Sequence, residues 1–337
     1  MPSQLGWGIL GTGNIARQFA AGVNACHRGQ LVAVGSRQRA TADAFARTHK
    51  IPAAYGGYED VLRDPRVNAI YVSLPNTLHH PWTLAALAAG KHVLCEKPLA
   101  CSAAQAQEMF DAADRAGRLV MEAFMYRSHP LTHAVGRLVA AGAIGQVRLV
   151  RTSFCYRTTK VAGNIRFASE LAGGTLMDVG CYCISYSRLI TGEEPIAVHA
   201  QAHIHEAGVD DIVVGTLRFG SGALASFTCG MSVQADNTAY ICGSDGYIEV
   251  PVPWKPPATA ARYTVAHSAP PRMDNPSVPA PPPRQTHEVD AGMDLYGLEA
   301  DDFAASALDG SPLRVGRQDT LGNLRVLDEL RRQIGAA

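Results

Sequence analysis

Leu5-Gly6-Trp7-Gly8-Ile9-Leu10-Gly11-Thr12-Gly13-Asn14-Ile15-Ala16 begins with a short apolar run and ends on a G-x-G-x-x-A turn. Past that turn the period changes: Ile15, Phe19 and Val23 fall at i, i+4 and i+8, one face of a helix. Glycine pairs are common in turns, so the weight comes from context, a strand before and a helix after. Gly11 allows the tight turn, and Gly13 lets backbone approach a pyrophosphate. Ala16 keeps helix and sheet close, while the helix N-terminus offers free N–H groups to the anion. Gly11, Thr12, Gly13, Asn14 and Ile15 are therefore candidate contacts for a dinucleotide.

Outward from this turn, strands and helices alternate. Leu31–Val34, Asn68–Leu74, His92–Cys95 and Leu119–Met121 read as strands. Ala40–His49, Pro81–Ala89 and Ser102–Ala116 read as helices, the last two stopped by Gly90 and Gly117. Apolar strands separated by helices predict a doubly wound parallel α/β sheet over residues 1–125. From about residue 145 the texture changes. Strand-like runs at 146–156, 197–206, 211–219, 223–230, 238–242 and 246–250 are joined by short turns such as Gly220-Ser221-Gly222. Close spacing predicts a large, mainly antiparallel sheet in a second domain, 126–337, with one helix at 173–190. Residues 251–283 carry eleven prolines, which argues against helix or central strand there. Helices return at 296–308 and 319–334, expected to pack back toward the first domain.

The second strand ends on Gly35-Ser36-Arg37, where an NAD-selective site carries an acid for the ribose 2′-hydroxyl. No acid appears before Asp43. A hydroxyl at Ser36 and a guanidinium at Arg37, with Arg39 as a second contact, suit a 2′-phosphate and predict NADP over NAD.

Composition excludes other classes. The 337 residues carry 30 Lys+Arg against 30 Asp+Glu, with 18% charged and 47% apolar. That balance argues against nucleic acid and anionic membrane, and the apolar share argues against disorder. No apolar run approaches the roughly 18 residues of a membrane span, and Met1-Pro2-Ser3-Gln4 lacks a basic leader, so a cytoplasmic protein is expected. Low net charge leaves self-association open. Eight cysteines without a Cys-x-x-Cys pair read as free thiols, and no metal is expected.

Three further stretches carry a family resemblance: His92-Val93-Leu94-Cys95-Glu96-Lys97-Pro98, Ser73-Leu74-Pro75-Asn76-Thr77-Leu78-His79 and Gly173-Gly174-Thr175-Leu176-Met177-Asp178-Val179-Gly180-Cys181-Tyr182. With the glycine turn, the chain resembles the glucose–fructose oxidoreductase/inositol dehydrogenase/rhizopine catabolism family over essentially its whole length. Met121-Glu122-Ala123-Phe124-Met125-Tyr126-Arg127 and the stretch from Gly173 to Tyr182 are similar to the branch of dimeric trans-dihydrodiol dehydrogenases and NADP-dependent D-xylose 1-dehydrogenases, and Gly208-Val209-Asp210-Asp211 agrees with it. The resemblance implies a cofactor at the C-terminal edge of the parallel strands and substrate between it and the second domain. It also implies a homodimer, or a higher homo-oligomer, through the open sheet.

It further implies Lys97 as the cation beside the reacting oxygen, with Lys97-Pro98 a candidate cis peptide. Much of the family has histidine four residues after Asp178, but this chain has Tyr182, as in the dihydrodiol branch. Helical spacing lets Asp178 and Tyr182 share a pocket, and a phenol near Lys97 is expected to have a lowered pKa. Lys97, Asp178 and Tyr182 are the candidate catalytic and substrate-binding residues, with Phe124 beside the substrate. Leu74, Pro75, Asn76, His79, Glu96, Lys97, Met125 and Arg166 are candidate cofactor contacts, and Arg127 is placed nearby. Adjacent His79 and His80 cannot both face inward. His199, His203 and His205 fall on one strand face with no acid in register, which reads as solvated sheet surface.

The function expected is hydride transfer to or from a hydroxyl-bearing carbon of an aldose such as D-xylose or of a cyclic trans-diol. The alternatives are an NAD-dependent glycosidase with an internally recycled cofactor, and a non-enzymatic dinucleotide sensor.

Overall fold

A strand buried on both faces must be covered on both, and the apolar run Leu5–Leu10 is buried at every position. The computed structural model describes residues 4–267 and 283–336. The chain begins β1 (Leu5–Leu10), α1 (Asn14–Ala25), β2 (Gly29–Gly35), α2 (Arg39–His49), β3 (Ala53–Tyr55), α3 (Tyr58–Arg63) and β4 (Ala69–Val72). It continues α4 (His79–Ala88), β5 (His92–Glu96), α5 (Ala103–Ala116) and β6 (Val120–Ala123). All pairings are parallel, in the order β3-β2-β1-β4-β5-β6. The order reverses between β1 and β4, and the crevice at that reversal is where open α/β sheets bind ligands.

The remainder runs α6 (Pro130–Ala140), β7 (Val147–Cys155), α7 (Cys181–Thr191), β8 (Pro195–Ile204), β9 (Asp210–Phe219) and β10 (Leu224–Gly230). Then come β11 (Ala239–Gly243), β12 (Gly246–Val250), β13 (Ala261–His267), β14 (Arg284–Val289), α8 (Leu295–Asp309) and α9 (Arg317–Gln333). These strands form one eight-stranded sheet in the order β14-β13-β12-β11-β7-β10-β9-β8. Close spacing predicts antiparallel neighbours, and one pair departs from it: β7 and β10 run parallel. The meander β8-β9-β10 returns beside β7 in the same direction, after a crossover that contains α7.

The expectation that residues 251–283 exclude a central strand is corrected. Ala261–His267 contains no proline, so its N–H groups are free to pair, and β13 is bonded to both β12 and β14. The prolines between 268 and 282 lie outside the described residues.

Aromatic rings join the C-terminal helices to the first sheet. Trp7 meets Phe19 edge-on at 5.1 Å, Phe19 stacks on Tyr71 at 3.7 Å, and Phe303 of α8 closes on Trp7 at 5.4 Å. Gly22 of α1 allows this approach: a Cβ there would lie 2.6 Å from the Gly297 nitrogen of α8. The two sheets thus share one continuous core. No helix among the described residues is long and apolar enough to cross a membrane.

Candidate active site

The glycine turn is built for close approach. Gly11 has φ +102°, and a Cβ there would lie 2.8 Å from the Ser73 carbonyl oxygen at the end of β4. Gly13 caps α1 without a side chain, and the first helical turn carries no acid. A Cβ on Gly13 would meet nothing within 4 Å, because the residue faces open cleft. Free N–H groups, no competing negative charge and space above the backbone fit a dinucleotide pyrophosphate. Gly13, Asn14 and Ile15 line a cleft of about 840 Å³, whereas Gly11, Thr12 and Pro75, in the turns after β1 and β4, are not among its lining residues.

Leu74, Asn76 and His79 also line the cleft. His79 is buried, with Nδ1 and Nε2 each 2.8 Å from a carbonyl oxygen, of Pro98 and Leu74 respectively. It clamps the loop after β4 to the turn after β5, and burial holds its pKa below the ordinary value. His80 points outward to Glu108 at 2.8 Å. Asn76 Nδ2 donates to the Ala172 carbonyl at 2.8 Å, tying the first sheet's loops to the segment after β7.

Arg37 stands exposed after β2, beside buried Ser36, and neither lines the cleft itself. Arg39 is exposed and pairs with Asp43 at 2.9 Å one helical turn on.

Lys97 follows β5, and its peptide bond to Pro98 is cis. Its Nζ donates to the Asp178 carbonyl at 2.7 Å and to Asp178 Oδ1 at 3.1 Å. Asp178 Oδ2 accepts from Arg166 Nε at 2.7 Å and from the Tyr156 hydroxyl at 2.5 Å. Burial alone would favour neutral forms of all these groups. The attraction between Asp178 and its two cations outweighs it, so Lys97 lies above the usual lysine value and Asp178 well below the usual carboxylate value. Glu96, buried beside them, accepts from the Tyr71 hydroxyl, and burial pushes its carboxyl up.

Asp178 sits in a π turn, Leu176–Gly180, that runs into α7. Such turns recur at functional sites. Asp210 holds its start, accepting from the Leu176 N–H at 2.7 Å, and burial pushes that carboxyl up to about 6. A Cβ on Gly174 would collide with Asp210, so a glycine at 174 is what lets this carboxyl approach.

Tyr182 lines the cleft, with its ring 5.2 Å from Lys97 Nζ and its hydroxyl donating to Met125 Sδ at 3.2 Å. The expected lowering of its pKa is corrected: burial raises it well above the ordinary phenol value. Lys97 spends its charge on Asp178, and the apolar shelf around Tyr182 disfavours phenolate.

Three other expectations change. Phe124 is buried behind Tyr182, edge-on at 5.1 Å, and supports the ring rather than touching the cleft. Arg127 turns away to Asp319 at 2.7 Å. Arg166 reaches the cleft but is engaged by Asp178. On the outer sheet, His203 does have an acidic partner, Asp211 at 2.6 Å, because a bulge at the end of β8 brings them together. Among the described residues no group of three or more His, Cys, Asp or Glu could hold a metal ion, and all eight cysteines are free.

Sequence reading missed much of the far wall. Phe154 and Tyr156 share a face through their i, i+2 spacing at the end of β7. Trp254 stacks on Phe154 at 5.5 Å and donates from Nε1 to the Ser153 carbonyl at 2.8 Å. Lys255, Asn237 and Tyr296 also line the cleft.

Residues 5–124 match the family model described as oxidoreductase family, NAD-binding Rossmann fold, and residues 132–249 match the GFO/IDH/MocA C-terminal domain. A relative, D-xylose 1-dehydrogenase (NADP(+)) 2 of Haloferax volcanii, is 35% identical over 96% of this chain and 95% of its own. The chain belongs to the GFO/IDH/MocA family. This family member is an enzyme, an NAD(P)-dependent oxidoreductase acting on CH–OH groups. The trans-1,2-dihydrobenzene-1,2-diol dehydrogenase of Oryctolagus cuniculus is 34% identical over 97% of this chain and 98% of its own. Among solved structures, the aldose-aldose oxidoreductase of Caulobacter crescentus, complexed with glycerol, superposes with TM-score 0.87 at 30% identity, covering 98% and 97% of the two chains. The 3-ketoreductase KijD10 of Actinomadura kijaniata, with NADP and TDP-benzene, gives TM-score 0.87 at 29% identity and covers 98% of each chain.

Proposed function

We propose that the protein is an NADP-dependent dehydrogenase that interconverts a hydroxyl-bearing carbon and its carbonyl on a sugar of the D-xylose type or on a cyclic trans-diol. The observation that carries this reading is the Lys97 ammonium, fixed on Asp178 at the end of β5, in the same cleft as the Gly11–Gly13 turn. The bound cofactor supplies the nicotinamide carbon that takes or gives the hydride.

The residues of the chain do the rest. Lys97 stays cationic and donates to the substrate oxygen, stabilising the alkoxide character that develops there. Asp178 sets the direction of that donation, and Arg166 and Tyr156 keep Asp178 ionised and in place. Tyr182 is a neutral phenol whose proton rests on a thioether, a weak acceptor, so a substrate oxygen can replace Met125 as partner. It donates its proton in carbonyl reduction and must lose it first to act as base in oxidation.

Residues 1–125 serve the cofactor in this reading, and 126–337 the substrate and self-association. The preference for NADP is supported by exposed Arg37 and by the absence of an acid at the end of β2. The NADP-dependent relative at 35% identity supports it as well. A second copy of the chain as partner is supported by Val214 and Leu224, 53% and 48% exposed on the outer face of the second sheet.

The test follows NADPH formation with a panel of aldoses, polyols and trans-diols, supplying NADP or NAD. Turnover of one class with NADP at least tenfold above NAD, by roughly the margin one charge-assisted phosphate contact gives, is expected. Equal turnover with NAD overturns the cofactor preference. No turnover of any member overturns the substrate class.

A further inference from the structure

We propose that Lys255 binds an anionic substituent of the substrate, a carboxylate or a phosphate, so that the preferred substrates are acidic sugars or polyols. The proposal rests on the dehydrogenase reading above and shifts its preferred substrate from a neutral sugar or diol to one that carries an anionic group.

Lys255 lies on a segment without regular structure, but the segment is anchored. Next to it, Trp254 is stacked on Phe154 and bonded to the Ser153 carbonyl. Two residues on, the Pro257 carbonyl lies 3.1 Å from His129 Nε2. Pro253, Pro256 and Pro257 restrict the backbone on both sides. The lysine is exposed at the rim and lines the same cleft as Lys97.

The charges around it are lopsided. The charged side chains lining the cleft are Glu96, Lys97, Arg166, Asp178 and Lys255. Both oxygens of Asp178 are committed to Lys97, Arg166 and Tyr156. Glu96 accepts from Tyr71 and is pushed toward its neutral form by burial. Among the described residues Lys255 has no ion-pair partner. Burial, then repulsion from Lys97, holds its pKa below the ordinary lysine value. Glu96 and Asp178 pull the other way but do not offset burial and the neighbouring cations, so an arriving anion would stabilise the charge of Lys255. The cofactor's own phosphates have other receivers, the N-terminus of α1 and Arg37. The vacant role for Lys255 is therefore an anion on the substrate, on a group other than the carbon that reacts at Lys97.

The experiment compares wild type, Lys255→Met and Lys255→Arg with D-glucose, D-glucuronate and D-glucose 6-phosphate under saturating NADP. Wild type is expected to favour an anionic sugar over the neutral one by about tenfold or more in kcat/KM. Lys255→Met is expected to erase that ratio through KM, and Lys255→Arg to keep it. Whichever anion gains identifies the group as carboxylate or phosphate. Equal kcat/KM for neutral and anionic sugars in wild type overturns the proposal, and so does Lys255→Met raising KM for NADP instead. Calorimetry of the NADPH-loaded enzyme with D-gluconate against D-glucitol reads the anion preference without turnover. A preference there that Lys255→Met abolishes upholds Lys255 even where no sugar is oxidised, a result that would sink the dehydrogenase reading alone. Equal heats for the two ligands overturn Lys255 alone.

Discussion

Lys97 Nζ makes two contacts with one residue, 2.7 Å to the carbonyl of Asp178 and 3.1 Å to its carboxylate, so Asp178 fixes both the place and the charge of the cation. Burial works against that charge and Asp178 restores it. Asp178→Asn keeps the shape and removes the attraction, so the Lys97 pKa falls. Carbonyl reduction needs the ammonium, and the basic limb of its kcat/KM profile is expected to move to lower pH. The accompanying fall in kcat is about 10- to 100-fold, and the pH profile with NADPH binding alongside checks both.

Tyr182 gives a second pH signature. Burial keeps its phenol neutral above the ordinary range, so it can donate throughout neutral pH but accepts a proton only once ionised. Oxidation is therefore expected to climb with pH through the alkaline range, while reduction stays flat until Lys97 titrates. Tyr182→Phe should lower both directions about 100-fold and remove the alkaline climb of oxidation. An unchanged climb in that variant would assign the base to another group.

Which parts were legible in sequence follows from the range of the interactions. The glycine turn and the parallel strands rest on local patterns, a period or a fixed spacing, and the structure has them where the pattern places them, whereas Lys97 rests on the family resemblance. The far wall of the cleft is long-range. Trp254 and Lys255 sit in a proline-rich stretch with no periodicity, and only the stacking of Trp254 on Phe154, a hundred residues earlier, brings them to the site. The place of Tyr182 near Lys97 comes from the family resemblance, and its electrostatics do not follow from it, because spacing does not show the burial that raises its pKa. Arg127 and Phe124 read as cleft residues by position, but the ion pair to Asp319 and the ring of Tyr182 claim them instead.

Arg37 tests the cofactor preference. It is exposed at the end of β2, with no ion pair among the described residues, whereas Arg39 is held by Asp43. Arg37→Ser is expected to raise KM for NADP by about 10- to 100-fold, the scale of one charge-assisted phosphate contact, and to leave KM for NAD within about twofold. Equal effects on both cofactors would place the arginine elsewhere.

Glu122 links pH to stability. It is fully buried on β6, accepts from the Leu99 N–H at 3.0 Å, and burial pushes its carboxyl up to about 7. An unfolded glutamate titrates near ~4.3, so the unfolded chain binds fewer protons than the folded one between these values. Stability from this group is therefore lost as pH rises from about 4.3 to about 7, and the penalty is complete above that range. Glu122→Gln, which keeps an acceptor for Leu99, should gain about 4 kcal/mol at pH ~8 and about 1 kcal/mol at pH ~5, at roughly 1.4 kcal/mol per unit. Denaturant unfolding at the two pH values measures the difference.

The most direct measurement replaces the ammonium itself. Lys97→Met removes the charge at nearly constant volume, and its turnover is read from NADPH absorbance with the sugar or diol that wild type oxidises. NADPH binding is measured in the same variant by fluorescence. Turnover is expected to fall at least about a thousandfold, the scale of a lost oxyanion-stabilising donor, with NADPH still bound. Near-normal turnover would contradict the placement of the reacting oxygen at Lys97.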